Sequence, residues 1–354
     1  MTRQVLVRDV AIGGGASIVV QSMTNTNTAD VDATVEQILR LEEAGCEIVR
    51  VAVPDVAAAE ALPAIRERVR VPLVADIHFD HRLALAALGA GVDKLRLNPG
   101  NITDPKKIAE VATAAKEAGT PIRVGANSGS LAKAYLVDGH ATAEGMVRSA
   151  LDEVALLEKH GVDQIVLSLK GTDVRMTVKA NRMIARETDY PIHIGITEAG
   201  TPWEGAIRSA VGLGALLEEG IGDTIRVSLA GDPVEEVRVA YEILRALGLR
   251  ARGIDLHVCP TCGRTGIDLI TIADRVRREL ADVVEPLTVA LMGCVVNGLG
   301  EVSEAEIGLV GSNGQGTIYV EGKPVLVSVP EESLAEEFVR TARGYLRKGR
   351  RTDA

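Results

Sequence analysis

The chain has 354 residues, 46% of them hydrophobic, enough for one large domain and a smaller one, each with a core of its own. A net charge of −10 and an aromatic content of one Trp, five Tyr and two Phe argue against broad nucleic-acid binding and base stacking, so any basic site must be local. No apolar run approaches the roughly 18 residues that span a bilayer, and the opening MTRQVLVRDVAIGGG lacks a signal peptide's apolar stretch, so a cytoplasmic protein is expected.

From about residue 18 to 245 the chain keeps one rhythm. Eight short β-branched runs read as strands: IVVQSM (18–23), EIVRVAV (47–53), PLVADIHF (72–79), KLRLN (94–98), IRVGAN (122–127), QIVLSLK (164–170), IHIGIT (192–197) and TIRVSL (224–229). Helical patterns lie between them, such as DATVEQILRLEEAG, HRLALAALGAG, PKKIAEVATAAKEAG, AEGMVRSALDEVALLEKHG and AIRSAVGLGALLEEGIG, most of which end in the glycine that suits a helix C-terminus. Parallel strands need crossover helices and closure removes both sheet edges, so eight strand-helix units predict a TIM (β/α)8 barrel over 1–250. A doubly wound open sheet would want a phosphate loop after its first strand, whereas GGG at 13–15 precedes that strand.

After residue 250 the rhythm changes. GIDLHVCPTCGRTGIDLITIADRVRREL reads as a strand, a turn carrying Cys259 and Cys262, and a helix. LTVALMGCVVNGLGE reads as a strand reaching Cys294, then a Gly-rich loop to Glu301. EIGLVGSNGQGTIYVEGKPVLVSV alternates like a small hairpin array, and EESLAEEFVRTARGYLRKG closes the chain as a helix. A separate α+β domain over 251–354 is expected.

Four strands carry an arginine among apolar residues: Arg50 in IVRVAV, Arg96 in KLRLN, Arg123 in PIRVGAN and Arg226 in TIRVSL. If the flanking apolar face meets the outer helices, strand alternation aims each guanidinium at the barrel axis. Lys170 ends the sixth strand, so five cations converge on one mouth. Asp76, Asp173, Glu198 and Asp232 could pair with them in internal salt bridges. The sharper reading is an anionic ligand, because the planar arginine fork matches phosphate oxygens, and so many donors suit more than one phosphate. Other strand ends add Asp76 and His78, Asn127 and Ser128, Thr197 and Glu198, and Ser228. Glu198, an acid beside cations on a Gly-rich loop, is a candidate proton donor or acceptor.

Cys259-Pro-Thr-Cys262 supports three chemistries. A redox dithiol would leave Cys294 without a role. Zinc would take Cys259, Cys262, Cys294 and a strand histidine, His257, as an awkward fourth ligand. An iron-sulfur cluster accepts the spacing, and a turn leading into a helix N-terminus suits its negative charge.

The segments GGGASIVVQSMTNTNTADVDATVEQI, RVAVPD, VADIHFD, LRLNPGNI, IRVGANSGSL, GITEAG, CPTCGRT and MGCVVNGLGE occur in the order found in the 4-hydroxy-3-methylbut-2-enyl diphosphate synthase family of the methylerythritol phosphate isoprenoid pathway. The chain resembles the bacterial two-domain form of that family over essentially its whole length. The resemblance implies a TIM barrel followed by a [4Fe-4S] domain. It implies reductive opening of 2-C-methyl-D-erythritol 2,4-cyclodiphosphate to (E)-4-hydroxy-3-methylbut-2-enyl diphosphate, with ferredoxin or flavodoxin as electron donor. By motif position Cys259, Cys262, Cys294 and Glu301 correspond to cluster ligands, and Arg50, Arg96, Arg123, Lys170 and Arg226 to a diphosphate clamp. It also implies a homodimer in which the cluster of one subunit caps the barrel of the other. Two rivals remain: a barrel transferase of the pteroate-synthase kind, with no use for the cysteine domain, and a zinc-stabilised binding protein. Cys46, in EEAGCEIVRV at a helix-to-strand turn away from the mouth, is expected to be a small buried hydrophobe.

Overall fold

The first residues make a hairpin in which β1 (Val5–Val7) pairs antiparallel with β2 (Val10–Ile12) through a turn at Arg8, whose φ is 56°. The alternating pattern then builds, in order, β3 (Val19–Met23), α1 (Val31–Ala44), β4 (Ile48–Ala52), α2 (Val56–Arg68), β5 (Leu73–Asp76), α3 (His81–Gly89), β6 (Lys94–Leu97), α4 (Pro105–Ala118), β7 (Ile122–Asn127), α5 (Ala143–Lys159), β8 (Ile165–Lys170), α6 (Val174–Glu187), β9 (His193–Ile194), α7 (Pro202–Leu217), β10 (Thr224–Ile225) and α8 (Pro233–Ala246). These come from a computed structural model that describes residues 1–98, 102 and 104–349. Pro99, Gly100 and Asn101 of the LRLNPGNI segment lie outside the described residues.

The sheet runs β8-β7-β6-β5-β4-β3-β10-β9, all parallel, and a bridge between Leu167 and Ile192 joins its two edges. This is the expected TIM barrel. β9 and β10 are shorter than IHIGIT and TIRVSL predict, for a local reason. A Cβ on Gly195 would lie 2.5 Å from the Arg226 carbonyl and 2.6 Å from the Lys170 amine, so the backbone leaves regular pairing where this side chain crosses it. Aspartates start most helices: Asp30, Asp55, Asp80, Asp104, Asp173 and Asp232 each accept a backbone N–H of the helix that follows.

Strand register fixes what faces the axis. At the N-terminal end Val19, Ile48, Val74 and Val166 pack with Val5, Val7 and Ile12, so the hairpin plugs the floor. Arg50, Asp76, Lys94, Arg96 and Arg123, together with His193 and Thr224, occupy the rest of the interior. The outward faces of the strands and the inner faces of the helices form one continuous apolar core.

The chain divides into compact units at Met1–Arg250 and Ala251–Ala354. The second is α+β: β11 (Ile254–Val258), α9 (Leu269–Glu279), β12 (Leu287–Met292), α10 (Val295–Glu304), β13 (Ile307–Ser312), β14 (Gln315–Val320), β15 (Lys323–Pro330) and α11 (Glu331–Arg347). β11, β12 and β13 are parallel, and β13, β14 and β15 form an antiparallel meander. Its core, including Val276, Val289, Leu309, Ile318 and Phe338, is fully buried. The segment after Cys294 corrects the sequence reading: VVNGLGEVSE is helix α10, not a loop. Its glycines do not break the helix because Gly298 lies against β13, where a Cβ would come within 2.8 Å of Val310.

If the hairpin closes the barrel floor, Ile12→Ala should cost about 2–5 kcal/mol by leaving a core cavity. Urea unfolding measures it; a cost below about 0.5 kcal/mol would make the hairpin peripheral.

Candidate functional site

Two of the predicted arginines and a histidine meet around one carboxylate. Asp76, ending β5, lies 3.0 Å from Nη1 of Arg96 and 3.5 Å from Nε of Arg50, with His78 Nε2 at 3.4 Å. Burial alone would raise its pKa, but Arg50, His78 and Arg96 more than offset that and hold it well below the usual carboxylate range. Arg96 also donates to the Gly125 carbonyl at 3.3 Å. Only glycine fits at 125, since a Cβ there would lie 2.7 Å from Arg96 Nε. Arg226 makes a fork on Glu236 with both contacts at 3.1 Å, and Ser22 and the Leu229 N–H complete that carboxylate's bonds. Glu236 comes from α8, and nothing in its helical sequence context marks it as inward-facing.

Among the described residues the remaining cations have no carboxylate partner. Arg123 is 1% exposed, and its Nε and Nη1 make no hydrogen bond. Lys94, two residues before Arg96 and therefore on the same strand face, is 0% exposed with an unpaired Nζ. Lys170 Nζ is 2.8 Å from His193 Nε2, and both are buried. Among the described residues six basic side chains thus line the axis against Asp76 and Glu236. Burial lowers Arg50 to about 10. Burial together with neighbouring positive charge also lowers Arg123, Lys94, Lys170 and His193 well below their ordinary values.

The expected internal salt bridges form only at Asp76. Asp173 caps α6, and Asp232 caps α8 while pairing with Arg40. Glu198 is exposed on the β9–α7 loop at a φ of 47°. His78 reaches Arg96 at 2.9 Å. Asn127, Thr197 and Ser228 lie at the C-terminal ends of β7, β9 and β10, all partly buried, as TIM-barrel active sites require. Cys46 lies at the other end, buried, donating to the Ile48 carbonyl at 3.2 Å, with burial pushing its thiol up to about 12.

In the second unit the parallel strands bring the cysteines together. Cys259 extends β11 by donating to the Leu291 carbonyl of β12 at 3.0 Å, one residue before that strand ends, and Cys294 follows at the N-cap of α10. The Cys262 turn is closed by Thr265, whose hydroxyl accepts the Cys262 N–H at 3.0 Å. Thr265 packs on Gly293, where a Cβ would come within 2.7 Å, and Gly266 donates to the Gly293 carbonyl at 2.9 Å. All three thiols are free, and Cys259 and Cys294 are half-buried. No side chain caps α10, which leaves its first N–H groups beside Cys294 available to negative charge. Glu301 lies two turns along the same helix face, exposed, and helical side chains lean back toward the N-terminus. His257 is turned to Asp255 at 3.2 Å. Among the described residues no three His, Cys, Asp or Glu side chains converge on a single ion position. A cluster binds each thiolate to a different iron and suits this wider set.

The model of the GcpE TIM-barrel domain matches residues 2–241, and that of the GcpE protein C-terminal domain matches 255–344. The chain belongs to the GcpE family. Among GcpE relatives, proteins called 4-hydroxy-3-methylbut-2-en-1-yl diphosphate synthase (flavodoxin) are 56% identical over 339 residues in Geobacter sulfurreducens, covering 96% of each chain. The Anoxybacillus flavithermus protein of that description is 52% identical over 354 residues, covering 99% of this chain and 97% of its own. Among solved structures, dihydropteroate synthase of Yersinia pestis has a TM-score of 0.52 at 13% identity, over 70% of this chain and 100% of that one. That of Stenotrophomonas maltophilia has the same score at 16% identity, over 70% of this chain and 98% of its own. At such identity the likeness is one of fold alone.

The unequal pairing separates two variants. Arg123→Leu should leave stability unchanged or raise it by about 1–2 kcal/mol, because a buried charge without a partner is removed. Arg96→Leu should lower it, because Asp76 loses its closest cation. Thermal unfolding of the unliganded chain measures both; an equal loss would show that Arg123 is paired after all.

Proposed function

We propose that this chain is a 4-hydroxy-3-methylbut-2-en-1-yl diphosphate synthase, a cytoplasmic homodimer that reductively opens 2-C-methyl-D-erythritol 2,4-cyclodiphosphate to (E)-4-hydroxy-3-methylbut-2-enyl diphosphate. The observation that carries the reading is the shortage of carboxylates in the barrel. A cyclic diphosphate supplies the missing negative charge, and Arg123 and Lys170, with no carboxylate of their own, are its primary ligands. Arg50, Arg96 and Arg226, preorganised by Asp76 and Glu236, complete the clamp without reorganising on binding. His78, Asn127, Thr197 and Ser228 hold the polyol and remaining phosphate oxygens. Asp76 orients His78 and Arg96 rather than touching phosphate.

The family's [4Fe-4S] cluster fits the second unit, with Cys259, Cys262, Cys294 and Glu301 as its ligands. When bound it supplies electrons one at a time, which no side chain does. A carboxylate holds iron less firmly than a thiolate, so Glu301 would be the most weakly held of the four ligands. The reaction takes up two electrons, breaks a ring C–O bond to phosphate and expels one hydroxyl as water. Glu198, solvent-accessible at the C-terminal end of the strands, passes the proton that hydroxyl needs. The reductant is a flavodoxin, the donor named for the relatives, in preference to a ferredoxin.

Anaerobically purified protein should be brown, carry about four iron and four sulfide per chain, and bleach in air. Stoichiometric zinc without labile sulfide would overturn the cofactor assignment. Glu301→Ala should lose turnover and give a labile or three-iron cluster, while Cys46→Ser keeps cluster content and activity. Cluster loss in Cys46→Ser, with normal turnover in Glu301→Ala, would reverse those roles.

A further inference from the structure

The proposed reaction gives Lys94 no part, yet no side chain in the barrel is harder to explain. It is fully buried near the axial floor, its Nζ makes no hydrogen bond, and its register partner on β5 is the apolar Val74. The titratable and charged groups around it are Arg123 on β7, Arg50 on β4 and His193 on β9. Asp76, two residues along β5 from Val74, is taken by Arg50 and Arg96. Asp93, the adjacent residue in sequence, points away and pairs with Arg8 and Arg66. Nothing near Lys94 compensates a positive charge, whereas methionine or leucine would fill such a floor at no electrostatic cost.

We propose that Lys94 is a charge-matching residue of the diphosphate site: a buried amine with no hydrogen-bond partner in the empty barrel that takes a proton from solvent when the diphosphate enters above it. The inference rests on the diphosphate reading and deepens it. An arginine at this position would keep its charge permanently and repel Arg123 and Arg50 whenever the site is empty. A lysine can shed its proton and regain it, because the same amine is destabilised as a cation by its neighbours and stabilised by an arriving anion. It acts through the field on the bound phosphates and on Arg123 and does not touch the substrate, which makes it a positioning residue. The sign of its pH effect follows. Its pKa in the folded, unliganded chain lies well below 10.5, so over that interval the unfolded chain binds more protons and unliganded stability rises with pH.

The test is calorimetric titration of the full-length, unreduced protein with the cyclic diphosphate at about pH 8, in buffers of different ionisation enthalpy. Wild type should take up protons on binding, and Lys94→Met should take up about one fewer. Its affinity should fall on the order of ten- to fifty-fold, the reach of one charge across several ångströms at an effective dielectric of about 20. The unliganded Lys94→Met chain should melt no lower than wild type and lose part of the rise in stability with pH. Lys94→Arg should melt lower when empty and regain the difference with ligand. Equal proton uptake in wild type and Lys94→Met, or a lower unliganded melting temperature in Lys94→Met, would overturn the inference while leaving the diphosphate reading intact. Absence of any binding by wild type would overturn both.

Discussion

The axis of this barrel holds more positive charge than its own carboxylates can balance, and most of the structure around it can be understood as a response. In a low-dielectric interior a cation without a partner is costly, so such a cluster persists only if its surroundings fix it and a ligand completes it. The hairpin plug shuts the floor and keeps bulk water from that end. The aspartates that could have neutralised the arginines, Asp173 and Asp232 among them, are held on helix N-termini, where they stabilise the fold and stay out of the cluster. Asp76 and Glu236 remain, and each aims a guanidinium instead of filling the site.

Space is arranged in the same way. Gly125 in β7 and Gly195 just beyond β9 are each the surface on which one long cation lies, Arg96 on the first and Lys170 on the second. A methyl group at either position would force the guanidinium or the amine to move. The second unit follows a related logic with the opposite sign: parallel strand ends and an uncapped helix N-terminus set free thiols beside N–H groups that favour negative charge. One unit thus concentrates positive charge, and the other places thiols where negative charge is favoured.

Much of this was legible in the residues. The barrel followed from two periodicities repeated eight times, and the inward arginines from strand alternation. Lys94 could have been found by the same alternation, since it shares a face with Arg96 in KLRLN, but a lysine at the first position of a strand reads as a solvated end. Glu236 could not be found so: its role depends on how α8 packs on β3 and β10, and helical period does not say which neighbour a buried acid meets. The segment after Cys294 misled because two glycines suggest a loop, whereas packing of Gly298 against Val310 outweighs the intrinsic penalty of glycine in a helix. Asp173 and Asp232 misled for a different reason. Aspartate before a helical run is a capping signal, and capping took both.

The most direct test of the account is a crystal structure of the unreduced protein with 2-C-methyl-D-erythritol 2,4-cyclodiphosphate bound. The account predicts diphosphate oxygens within hydrogen-bond distance of Arg123 and Lys170, with Asp76 still on Arg96 and Glu236 still on Arg226. A diphosphate resting on the rim, with Arg123 unpaired beneath it, would contradict the claim that the barrel's uncompensated charge exists for the substrate.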